Sequence, residues 1–174
     1  MITKINKFFF SLKLISFGIF LTLLSCTNPF APKLANGNVD ILSDQKTIYG
    51  VFDNFRFAYI FKDTLVYGKL LAPDFTFTYR NYENNVDVSW GRSEDMLTTY
   101  GLFTSSQSLD LIWNEVAVMT GDSTTIDISR GFTLTVIFDP SYTERIQGRA
   151  NLRLIRQAIG EPWQISRWRD ESNF

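Results

Sequence analysis

Long runs of alternating apolar and polar side chains fill the second half of the chain, and they restrict the fold more than any other feature. From Ser108 to Met119 one parity holds Leu109, Leu111, Trp113, Glu115, Ala117 and Met119. From Thr124 to Asp139 it holds Phe132, Leu134, Val136 and Phe138, with Arg130-Gly131 as a place for a bulge. From Thr143 to Arg156, Ile146, Gly148, Ala150, Leu152 and Leu154 alternate with Gln147, Arg149, Asn151 and Arg153. A sustained period of two marks a half-buried strand. Asp139-Pro140-Ser141 and Gly160-Glu161-Pro162 supply turns, the second leading into a last strand, Trp163–Arg169.

The first half has a different period. Ile48, Val51, Phe52, Phe55, Ala58 and Tyr59 recur at helical spacing, which predicts a helix from a cap at Ser43 or Asp44 to about Lys62. Gly50 weakens that helix by roughly 1 kcal/mol relative to Ala. Asp63 caps a shorter helix with Leu65, Leu70 and Leu71 inward, ended by Ala72-Pro73. Asp74–Asn81 reads as a strand with Phe75, Phe77 and Tyr79 on one face, followed by a polar stretch to Asp87. Ser93 caps a third helix, about Glu94–Phe103, with Leu97, Tyr100 and Phe103 inward. Three helices followed by long antiparallel strands predict an α+β fold, the helices packed on one face of a curved sheet.

The N-terminus reads as an address. Met1–Lys13 is basic and free of acids, and Leu14–Leu24 is an uncharged, mostly apolar run. A helix needs about 20 apolar residues to span a bilayer core, so this run is too short and instead matches the h-region of a signal peptide. It ends at Leu23-Leu24-Ser25-Cys26, which resembles the lipobox of bacterial lipoproteins, with the chain's only Cys at the lipidated position. The resemblance implies cleavage before Cys26, two acyl chains such as palmitate on its sulfur, and acylation of its amine. Each buried CH₂ contributes about 0.8 kcal/mol, so two or three chains make a firm anchor. Residues 1–25 are accordingly read as a lipoprotein signal peptide. Residues 26–40 are read as the lipidated Cys and a flexible tether rich in Pro, Gly and Asn, and 41–174 as one domain. Thr27 is not the Asp associated with inner-membrane retention in such lipoproteins, so the resemblance implies the outer membrane of a bacterial cell envelope, facing the periplasm.

Composition removes several chemistries. The 17 Lys and Arg balance 18 Asp and Glu, and three of the lysines lie in the leader, so no field suited to nucleic acid is expected. One Cys and no His exclude an intrachain disulfide, a Cys-based zinc cluster, His triads and His-ligated metals. There is no Gly-rich phosphate loop and no nucleophile elbow, and Asp122-Ser123-Thr124-Thr125 reads as a turn rather than a calcium loop. No cofactor and no metal are expected.

The stretches FDNFRFAYIFKD (52–63), Tyr67, LLAPDFTF (70–77), GRANLRLIRQ (148–157) and Trp163-x-Ile165-x-x-Trp168-x-Asp170 together resemble the NTF2-like superfold, also called SnoaL-like or cystatin-like cone. The resemblance runs from about Ile41 to Asp170. It is closest in kind to lipoprotein-anchored domains of uncharacterised function in bacterial envelopes. It implies a pocket between the helices and the concave sheet, and a fold that often forms homodimers through its exposed sheet face. It implies no activity, because the fold hosts isomerases, dehydratases, transport factors and inert scaffolds.

Glu115 is the one catalytic candidate. If its parity faces the core, burial raises its pKa and suits it to acid–base work. A bulge that turns it to water is the simpler reading, because unpaired buried Glu is rare. Tyr59, Tyr79, Trp90, Tyr100, Trp113 and Trp163 are candidates to line a ligand pocket, with core packing the simpler role for Trp163. The arginines around the C-terminal hairpin read as a solvated sheet face. The expectation is a membrane-anchored, non-catalytic envelope lipoprotein that binds a small hydrophobic ligand or another envelope protein. The alternatives are a SnoaL- or ketosteroid-isomerase-like enzyme using a pocket carboxylate, and an assembly factor of an envelope complex.

Overall fold

The computed structural model describes residues 42–172. The expected signal peptide, Cys26 and the tether lie outside the described residues. Helix α1 spans Ile48–Phe61, and its cap is Thr47, whose hydroxyl accepts from the Gly50 N–H at 3.0 Å. The expected cap residues Ser43 and Asp44 lie upstream of it. Ser43 packs back against the helix at Gly50, where a Cβ would come within 2.0 Å of the Ser43 hydroxyl oxygen. Gly50 is therefore there for a close approach. The carboxamide of Asn54 holds the incoming segment by accepting from the Ser43 N–H and donating to its carbonyl, both at 2.8 Å.

Lys62 ends α1 in the left-handed region, and Asp63 caps helix α2 (Thr64–Leu70) by accepting from the Leu65 and Val66 N–H groups. Val66, Tyr67 and Leu70 face inward, whereas Leu65 points outward. Strand β1 (Leu71–Asn81) follows at once and buries Phe75 and Phe77. Strand β2 (Val86–Gly91) pairs antiparallel to β1; it falls in and just after the stretch read as a polar loop. Helix α3 (Arg92–Ser105) starts at Gly91 without a side-chain cap. It buries Asp95, Thr99 and Phe103, while Leu97 is 71% and Tyr100 55% exposed. Its inward face is therefore turned from the one that hydrophobicity predicts, because two of its three buried positions are polar.

Strands β3 (Ser108–Gly121), β4 (Thr125–Asp139), β5 (Tyr142–Ile155) and β6 (Gln164–Ser172) complete a six-stranded sheet in the order β2-β1-β6-β5-β4-β3. All neighbours are antiparallel except β1 and β6, which run parallel. The sheet is thus mixed, where an antiparallel one was expected. The bulge foreseen at Arg130-Gly131 sits instead in the facing strand. β4 pairs evenly with β5 there, while Asn114 and Glu115 of β3 together oppose Gly131. Gly121 closes the β3–β4 hairpin at φ 143°, a conformation other residues rarely adopt.

The core lies between the helices and the concave face, built on Phe55, Tyr67, Leu70, Phe75, Leu152 and Ile165. Two side chains tie α1 to β3 across it. The Trp113 indole N–H donates to the Phe52 carbonyl at 3.2 Å, and Arg56 Nε donates to the Leu111 carbonyl at 3.0 Å.

Candidate functional site

The core does not fill the cone. A cavity of about 330 Å³ remains between the helices and the sheet. Each element contributes to its lining through its own periodicity. Helix α1 turns Phe55 and Tyr59 inward at i, i+4, α2 adds Tyr67, and α3 adds Asp95 and Thr99, again at i, i+4. Alternation along the strands brings Phe77 and Trp90 from one side, Leu111 and Trp113 from the other, and Trp168 and Asp170 from β6. The β6 pattern shifts by one residue at Ser166, so Ile165 and Trp168 both face inward.

The walls are mostly aromatic. Phe77 stacks on Trp90 at 4.5 Å and meets Trp168 edge-on at 5.1 Å. Phe55 is edge-on to Trp113 at 5.3 Å and to Trp168 at 5.4 Å.

Two carboxylates are set into this apolar surround. Asp95 is 4% exposed, accepting from the Tyr67 hydroxyl at 2.7 Å and from the Trp90 indole N–H at 3.1 Å. It lies in the first turn of α3, where the helix dipole favours an anion. Desolvation nevertheless raises its pKa, against the pull of those two bonds. Asp170 is 5% exposed and accepts from the Ser172 hydroxyl on Oδ2 at 2.6 Å. Burial raises its pKa too. Its Oδ1 is buried with no hydrogen-bond partner, as is the indole Nε1 of Trp168, two residues away on the same face of β6. Tyr59 is held in its neutral form by burial first and by the charges of Asp95 and Asp170 second. Tyr67 is held neutral chiefly by burial.

Of the residues singled out from sequence, Tyr59, Trp90 and Trp113 line the cavity. Tyr79 is half-buried at the side, its ring 5.6 Å from Trp90. Tyr100 sits on the outer surface of α3, because that helix faces the sheet through Thr99 and Phe103. Trp163 is buried elsewhere, beneath the Arg156 guanidinium at 4.3 Å, with its backbone bonded to Gln45. Glu115 is exposed in the β3 bulge and is not among the residues lining the cavity.

Sequence reasoning missed Asp95, Asp170, Tyr67 and Thr99 as cavity groups. For Asp170 the signal was present in the spacing Ile165-x-x-Trp168-x-Asp170, which fixes its face once the bulge is known. Among the described residues no cluster of three or more side chains is arranged to hold a metal ion.

No protein-family model matches the chain, and no curated protein matches it. Solved structures do match. A conserved protein from Planctomyces limnophilus DSM 3776 superposes with a TM-score of 0.63 at 16% identity, over 75% of this chain and 96% of that one. The Kfla4162 protein from Kribbella flavida gives 0.61 at 13% identity, over 75% and 91%. LinA gives 0.58 at 9% identity, over 71% and 82%. At such identities the likeness is one of fold. With three helices laid on a curved six-stranded sheet around an incompletely filled interior, the chain has the NTF2-like α+β cone architecture.

Proposed function

We propose that the protein is a lipid-anchored component of a bacterial cell envelope whose domain binds a small, largely apolar molecule inside the cone without turning it over. The observation that carries the binding half is the cavity itself, which is aromatic-walled, part-enclosed and furnished with a few convergent polar groups. Its volume is near the lower end of the roughly 300–1,000 Å³ typical of small-molecule sites, so the ligand is small. Burial of its apolar surface would contribute about 25 cal/mol per Å².

Three tryptophans line the cavity, so intrinsic fluorescence is the direct test. The neutral fluorophore N-phenyl-1-naphthylamine is expected to bind saturably and to change tryptophan emission. Leu102→Trp, which narrows the cavity from α3, is expected to remove that binding while melting stays cooperative. Equal binding by this variant would place the ligand elsewhere. The anchor rests on the lipobox-like Leu23-Leu24-Ser25-Cys26. In a bacterial host, Cys26→Ala is expected to abolish membrane retention and labelling by a fatty-acid analogue, and unchanged labelling would refute the anchor.

One observation favours a second reading, an acid–base enzyme of the ketosteroid-isomerase kind. Asp170 presents a buried oxygen with no partner beside the cavity, as a general base would. Glu115 is exposed and does not line the cavity, which favours Asp170 over it for that role. Deuterium exchange at carbon in a bound ligand, followed by proton NMR, separates the two. Exchange faster with the native chain than with Asp170→Asn supports the enzyme, and no exchange supports the binder.

A further inference from the structure

We infer that the cavity takes an apolar organic cation, a small amine that also carries an oxygen acceptor, with its ammonium on Asp170 and its oxygen on the Trp168 indole N–H. This rests on the reading of the cavity as a ligand site and names the chemistry of the ligand.

The first argument is charge balance. An anion buried without a counter-ion is costly and is normally paired. Two aspartates on the outer face of the sheet are each paired twice: Asp127 with Arg153 at 2.7 Å and Arg167 at 3.5 Å, and Asp87 with Arg80 at 3.0 Å and Arg169 at 3.1 Å. Two of those arginines alternate with Trp168 and Asp170 along β6, so every guanidinium of this stretch is on the outer face and none on the cavity side. Asp95 and Asp170 have no ion-pair partner among the described residues, and no Lys or Arg lines the cavity. The missing positive charge is therefore one that a ligand can bring.

The second argument is the walls. Faces of Trp, Tyr and Phe attract cations, and the attraction grows to about 2 kcal/mol or more once the cation is desolvated. Trp90, Trp113, Trp168, Phe77 and Tyr59 surround the space beside the carboxylates. The third argument is the two orphaned atoms. Asp170 Oδ1 lacks a donor and Trp168 Nε1 lacks an acceptor, although buried polar atoms are normally satisfied. Residues i and i+2 on one face of a strand lie about 7 Å apart along the chain. A single small molecule with an amine and a nearby oxygen meets both, which a simple hydrocarbon does not. The upward pKa shifts agree, since burial penalises each carboxylate and no neighbouring Lys or Arg offsets that penalty.

The test is isothermal titration of the folded domain at neutral pH with four compounds of nearly equal size: 2-amino-1-phenylethanol, 2-phenylethylamine, 1-phenyl-1,2-ethanediol and ethylbenzene. The amino alcohol is expected to bind at least tenfold more tightly than the diol, with the plain amine between them. Asp170→Asn is expected to erase the advantage of both amines and leave the diol unchanged. Trp168→Phe is expected to bring the amino alcohol down to the plain amine. If the diol or ethylbenzene binds as tightly as the amines, the cavity is a ligand site but the cation inference is overturned. If none of the four binds, both readings fall. The comparison among compounds is made on the native chain, so it holds even if a variant does not fold.

Discussion

Burial raises the pKa of Asp170 in the folded chain, and the hydrogen bonds from the Ser172 hydroxyl and the Glu171 backbone offset only part of that rise. Its pKa there lies above the unfolded value, so between the two the folded state binds more protons and stability falls as pH rises. Asparagine removes that slope. As pH rises from the ordinary carboxylate value of 3.8 toward the raised folded-state value, the melting temperature of Asp170→Asn is expected to gain steadily on the native chain, measured by circular dichroism on both. A constant difference over that range would deny the shift. Asp95 faces the same space, as does Tyr59, and its shift has the same sign, so Asp95→Asn is expected to tilt the same way. That variant also disturbs the bonds from Tyr67 and Trp90, which offsets part of the gain. The salt-bridged Asp87 and Asp127 shift downward, but they are common to every variant and cancel in the difference. Residues of this kind are the hardest to read from sequence. Asp170 lies between Arg169 and Glu171 and reads as surface, whereas Tyr59 and Trp113 sit on plainly apolar faces and were found.

Among the elements, α3 shows where periodicity misleads. The face expected to turn inward, through Leu97 and Tyr100, points to water, while the face on the cavity carries Asp95 and Thr99 beside Leu102 and Phe103. A site needs polar groups on the inside, and that need defeats a search for apolar stripes. The assignment has a sharp consequence. Phe103→Ala is expected to lower stability by about 3–5 kcal/mol, as loss of a buried Phe does, and Leu97→Ala to stay within about 0.5 kcal/mol. Urea denaturation of both measures this, and similar losses would mean the helix is turned the other way. The same logic applies to β3. Its inner half, Leu109 to Trp113, follows the expected alternation, and from Asn114 on, where the register with β4 shifts twice, every residue is exposed, Glu115 included. Two residues facing Gly131 are a matter of pairing, and pairing is not written in one strand alone. Strand β2 shows the reverse case, for Val86, Val88 and Trp90 do alternate, but the run is short and both faces are largely exposed.

For the molecule as a whole, helices before strands were enough to indicate an α+β cone, because the periods of 3.6 and 2 separate cleanly along the chain. The wiring was not legible, since nothing local in β1 or β6 says that they run side by side. One polar cluster joins distant parts of this design. Asn54 holds Ser43 and donates to the Gln45 carboxamide at 3.3 Å, and Gln45 exchanges two hydrogen bonds with the backbone of Trp163, next to the start of β6. Asn54→Ala leaves these buried groups short of partners and is expected to cost about 1–3 kcal/mol, measured by urea denaturation. The placement of β6 reaches further. It is the last of the six strands to be synthesised, yet it occupies an inner position, between β1 and β5. A ribosome therefore hands over two open strand edges that wait for their filler, and the order of manufacture runs against the order of assembly. A chain wired this way stays slack while it is being made. Until the final strand arrives, the facing edges of β1 and β5 stay open to pairing with other chains.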